Sequence, residues 1–187
     1  MISSSVPVFY DCEASGLDGF VIEIGWAFVN PSNGQIVSAS YLVRPLSEWR
    51  IETSWDENAG ELHGISLADL YARGVPVHDI ANAMNHALAG RELYSDSPFD
   101  ESWLVQIFEG AGIEPSFTVR QTSADHLLEK AVAERNFDVR RYRDARDEAE
   151  QNRRHRAHVD ALLWAQLWRT VVHKARRQRV QGPPASS

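Results

Sequence analysis

Two carboxylates, Asp11 and Glu13, end an apolar run in the stretch FYDCEASG (9–16). In an extended chain, side chains two positions apart share a face, so these acids can converge on one point while Cys12 turns the other way. Adjacent carboxylates repel unless something positive lies between them. A hard divalent cation with oxygen ligands, Mg²⁺ or Mn²⁺, answers that need. Such a pair also arises by chance, so its meaning depends on partners elsewhere. FDESWL (99–104) places Asp100 at the first turn of an expected helix, where the helix dipole favours an acid whatever its role. HRAHVDA (155–161) sets His155 five positions before Asp160, at the start of a long helix. Asp160 can face inward among Ala157, Leu163 and Trp164, and a buried acid among apolar neighbours needs a partner or a metal. Histidine, with an ordinary pKa of about 6.5, can take a proton near neutral pH. His158 is a rival for that role, and a solvated place in an Arg-rich turn is the plain alternative for His155.

The elements that must position these groups follow from pattern. VPVFYD (6–11), FVIEIGWAFV (20–29) and IVSASYLVR (36–44) read as three strands joined by short turns, an antiparallel meander. Residues 45–77 hold short helices, with Ser66 an N-cap before LADLYA. Helical spacing at Ile80, Ala83, Met84 and Ala87 predicts a helix over 78–90 closed by Gly90. RELYSD (91–96) reads as a fourth strand, 99–112 as a helix, FTVRQT (117–122) as a fifth strand, and 123–136 as a helix capped by Ser123. A long helix with a basic end spans 157–179. Together these predict one α/β domain over 1–180, a mixed sheet flanked by helices, followed by a disordered tail over 181–187.

Composition narrows the class. A hydrophobic content of 43% with six tryptophans suits a packed core in 187 residues. The net charge of −7 argues against a general nucleic-acid-coating protein. Residues 1–119 hold four basic against 17 acidic side chains, and residues 120–187 hold 15 against nine. An acidic metal pocket beside a basic backbone-gripping surface would give this division, as would Arg-rich helices with solvated faces. One cysteine, no signal-peptide pattern and no apolar run of membrane-spanning length predict a cytoplasmic chain.

Taken in order, these stretches resemble the DnaQ-like (DEDDh) 3′–5′ exonucleases of the ribonuclease H-like superfamily. The resemblance rests on Asp11-Cys12-Glu13-Ala14-Ser15-Gly16-Leu17, Ile22-Glu23-Ile24-Gly25, His63-Gly64-Ile65, the FDESWL frame around Asp100, and His155 to Ala161. It implies an RNase H-like fold and two divalent cations, Mg²⁺ or Mn²⁺, held by Asp11, Glu13, Asp100 and Asp160. It also implies His155 as general base and the 3′ ends of single-stranded DNA or RNA as substrate. Leu17 and His63 would lie near the terminal base or sugar, and a homodimer is implied as plausible. The chain departs from the family at Ala14 and Ser15, where threonines are usual, which leaves the contacts of Ala14 to the terminal nucleotide open. It departs again at Asp96, where asparagine is common, so Asp96 stands as an outer-shell carboxylate or a competitor of Asp100. Arg140, Arg141, Arg143, Arg153, Arg154 and Arg156 are candidates to grip phosphate. Trp49 and Trp55 could stack on bases or pack under a loop. Two alternatives stand beside the exonuclease: a metal-dependent phosphodiesterase acting on short oligonucleotides or nucleotide caps, and an inactive nucleic-acid-binding module on the same fold.

Overall fold

The computed structural model describes residues 6–151 and 154–180. The expected tail at 181–187, and Arg153, lie outside the described residues. Strands β1 (Pro7–Ala14), β2 (Val21–Val29) and β3 (Ile36–Leu42) form the antiparallel meander. β4 (Glu92–Tyr94) and β5 (Thr118–Val119) add on the other side of β1 in parallel, so the sheet order is β3-β2-β1-β4-β5. This is the expected mixed α/β sheet.

Alternation along the strands decides what each face carries. Val8, Tyr10 and Cys12 of β1, with Ile24, Trp26 and Phe28 of β2, pack against α3 (Val77–Leu88) and α4 (Asp100–Ala111). Phe9, Ala27 and Val29 face the opposite layer, made of α5 (Ala124–Glu134), α6 (Val139–Gln151) and α7 (Ala157–Val180). Because helices cover both faces, all nine residues of β2 are buried. That explains a strand that reads as a continuous apolar run. Ile22, Ile51, Ile65 and Leu70 form a smaller core where α1 (Glu57–His63) and α2 (Leu67–Arg73) meet the sheet.

Local signals set most of the boundaries. Ser66 accepts from the Asp69 amide and Asp69 accepts from the Ser66 amide, a reciprocal capping box that starts α2. Ser123 caps α5 by accepting from the His126 amide at 3.2 Å. Gly90 follows α3 at φ +70°, in the left-handed region where glycine carries no Cβ penalty. β4 and β5 are shorter than the expected 91–96 and 117–122, because the chain leaves the sheet at Ser95 and Arg120, both of which line a surface hollow. α6 is an element the pattern did not announce. Its apolar stripe is thin, with Tyr142 its one buried residue and Ala145 and Ala149 partly buried against the α7 core. The rest of VRRYRDARDEAEQ is charged, so the helix is held by packing rather than by a strong apolar period.

Candidate active site

β1 carries Asp11 and Glu13 to its C-terminal end on the face that meets α7. Asp11 lies opposite Gly25 and Glu13 opposite Glu23 on β2. α7 crosses this edge, and Asp160, one turn into the helix, is 2% exposed. Ligand oxygens of Asp11, Glu13 and Asp160 all lie within 4.8 Å of one another. Oxygen donors gathered at this spacing are what a hard divalent cation takes. Asp100 arrives separately, on the first turn of α4, and is 1% exposed. It lines the same cleft of about 270 Å³ as Asp11, Glu13, His155 and Asp160.

His155 stands just before α7 at φ +48°, a left-handed conformation uncommon for a residue with a Cβ. It lines the cleft, whereas His158 points to the sheet edge, its Nε2 3.2 Å from the Ser38 hydroxyl. Cys12 packs in the opposite core and donates toward the Asp100 carbonyl at 3.8 Å. Burial, then the neighbouring carboxylates Asp100 and Asp11, push its thiol well above the usual range, so it is an inert core residue.

Of the residues expected near the substrate, Ala14, Leu17 and His63 line the cleft. Leu17 is 64% exposed, and a second exposed leucine, Leu62 of α1, at 56%, lines the same cleft. His63 is buried; its Nδ1 accepts from the Ile65 amide at 3.2 Å, which leaves the proton of the neutral ring on Nε2. Burial lowers its pKa and so holds the ring neutral. Trp55 stands edge-on to it with centroids 6.4 Å apart. Trp49 takes the packing alternative, stacked on Phe20 at 5.1 Å. Arg156 does not line the cleft. Its guanidinium is spent on Glu23, with Nε and Nη2 each 2.9 Å from a carboxylate oxygen. Asp96 lines an adjoining hollow with Tyr10, Ser95 and Gln121 rather than the cleft. Arg140, Arg141, Arg143 and Arg154 are exposed. Leu62 and Asp56, which stood outside the motifs, also line the cleft, as does Trp103, the aromatic of the FDESWL frame. For Leu62 the available signal was a lone leucine in the polar stretch ENAGELH.

No known family profile and no curated protein matches the chain. Among solved structures, its fold is that of exonuclease I. Against Escherichia coli exonuclease I in complex with a dA16 oligonucleotide, the TM-score is 0.59 at 13% identity, over 95% of this chain and 42% of that one. The complex of the same enzyme with a dT13 oligonucleotide gives 0.55 at 12%, over 95% and 42%. Exonuclease I in its apo form gives 0.59 at 13%, over 94% and 43%. The chain thus spans less than half the length of these enzymes, and at this identity the likeness establishes the fold. No helix among the described residues is long and apolar enough to cross a membrane.

Proposed function

We propose that the chain to residue 180 is a single nuclease domain and that it acts as a metal-dependent 3′–5′ exonuclease. It would hydrolyse phosphodiester bonds at the 3′ end of single-stranded DNA or RNA and release nucleoside 5′-monophosphates. The observation that carries this reading is convergence. Asp11, Glu13, Asp100, His155 and Asp160 come from β1, α4 and the entry to α7, yet line one cleft. The fold shared with exonuclease I, solved with oligonucleotides bound, agrees with it.

Asp11, Glu13 and Asp160, with Asp100 across the cleft, would hold two divalent cations, Mg²⁺ or Mn²⁺. When bound, these would supply positive charge against the negative charge that develops on the phosphodiester oxygens during in-line displacement. His155 would accept the proton of the attacking water, since it lines the same cleft as the carboxylates. Leu17 and Leu62 would flank the terminal base, with His63 beside the terminal base or sugar. Arg140, Arg141, Arg143 and Arg154 remain available to meet the backbone upstream.

Incubation with 5′-labelled single-stranded DNA and RNA in Mn²⁺ tests the reading. A ladder that shortens from the 3′ end is expected. Internal fragments, or intact substrate alongside tight binding, would refute it.

A further inference from the structure

The segment that brings His155 and Asp160 to the cleft is seated on β2 by contacts that the hydrolytic chemistry does not itself require. Glu23 is 2% exposed and directly opposite Glu13 across the β1–β2 ladder. Like charges placed this way destabilise a sheet. Here Glu23 accepts two bonds from Arg156 and a third from the Ala157 amide at 3.1 Å. The Ala157 amide is one of the first-turn donors that a helix cannot satisfy internally, so Glu23 serves as the cap of α7 from another element. It also meets the positive end of the helix dipole.

Gly25, two residues on, completes the seat. A Cβ there would lie 2.4 Å from the Ala157 carbonyl carbon and 2.5 Å from both the Ala157 oxygen and the His158 nitrogen. All three are backbone atoms, so only glycine lets α7 approach this closely. Gly25 is also the cross-strand partner of Asp11. The close approach is therefore what puts Asp160, a turn further on, within reach of Asp11 and Glu13. Arg156 in turn follows His155, whose left-handed φ persists only if its neighbours are held.

We infer that Glu23, Arg156 and Gly25 form a seat that positions His155 and Asp160, with Glu23 and Arg156 as positioning residues for the hydrolytic site. This rests on the nuclease reading above. It assigns Arg156 to the chain's own frame rather than to phosphate, and it gives the Ile-Glu-Ile-Gly stretch a mechanical task.

Glu23→Gln removes the charge and half of the fork, and Arg156→Gln does the same from the exposed side should the first variant fail to fold. Arg156→Lys keeps the charge with poorer geometry. Mn²⁺ affinity by calorimetry is expected to fall about 10- to 100-fold in the glutamine variants, the range typical of groups that orient a metal ligand, with the lysine variant between. The loss in trimming should appear in kcat, with KM within about twofold, because substrate contacts are untouched. Amide exchange of peptides spanning 155–160 should accelerate by about tenfold or more while the rest of α7 keeps its protection. Wild-type exchange and Mn²⁺ affinity in the folded variants would overturn the seat, as would a lower melting temperature with Mn²⁺ affinity unchanged. A wild-type chain that trims nothing would overturn the nuclease reading alone, since the exchange and Mn²⁺ measurements still decide the seat.

Discussion

Asp160→Asn should make the metal-free protein more stable while destroying its activity. Asp160 is almost fully buried, and its oxygen lies within 4.8 Å of oxygens from both Asp11 and Glu13. Two unit charges at that separation repel by about 3.5 kcal/mol at an effective dielectric of about 20. Solvent penetration and local relaxation relieve part of this, so about 1–3 kcal/mol of relief is expected when one carboxylate becomes an amide of the same shape. In a chain of 187 residues each kcal/mol moves Tm by about 2–4 °C. The variant should therefore melt about 2–12 °C above wild type in EDTA. Adding Mn²⁺ at about 100 times its Kd should raise wild type by about 2.7 kcal/mol, through binding the folded state alone, and the variant by far less. Trimming should fall by more than about 100-fold, since losing a direct ligand exceeds the loss of an outer one. Thermal melts of both proteins in EDTA and in Mn²⁺, beside a 3′-labelled trimming assay, measure all three. A variant less stable than wild type in EDTA, or an equal Mn²⁺ shift in both proteins, would refute the electrostatic reasoning.

Asp100→Asn should abolish Mn²⁺-dependent trimming with the fold intact by circular dichroism, whereas Asp96→Asn should retain most of it; the reverse order would exchange their roles. His155→Ala should lose far more kcat than His158→Ala, because only His155 lines the cleft and His158 is engaged with Ser38; equal losses in single-turnover rates would remove His155 as the proton acceptor. Leu17→Ala should raise KM with little change in kcat, measured on homopolymer oligonucleotides, if the rim leucine contacts only the terminal base. His63 has its pKa lowered in the folded chain, chiefly by burial, so folding favours the neutral ring. That contribution is whole above the unfolded value of about 6.5 and is lost as pH falls toward the folded value. Denaturant melts should show His63→Gln with a flatter stability profile than wild type below pH about 6.5, and parallel profiles would count against it.

Much of this chain is legible from local chemistry, and the exceptions have specific causes. The meander was readable because β1, β2 and β3 are joined by tight turns, so register follows from neighbours in sequence. The starts of α2 and α5 were readable because Ser66 and Ser123 act within their own first turns. α6 was not, since thirteen residues with a single buried side chain carry almost no periodic signal. The role of Arg156 was misleading in sequence: an arginine beside the proposed general base, His155, suggests a phosphate contact, and its partner, Glu23, is 133 positions away. Leu62 was not legible because nothing in its own helix distinguishes an apolar residue lining a cleft from one at the edge of a core.

By itself, then, the amino-acid order determined which groups could do chemistry. It set Asp11 and Glu13 on one face through the two-residue period of a strand, and placed Asp100 and Asp160 in the first turns of helices. Those are properties of the backbone over a few residues. Only the tertiary structure decided that Asp160 meets Asp11 and Glu13, which of two histidines lines their cleft, and that Arg156 pairs with Glu23. Each of those outcomes depends on how closely α7 can approach β2, and that distance is set by the absence of a side chain at Gly25 and the presence of a buried one at Glu23.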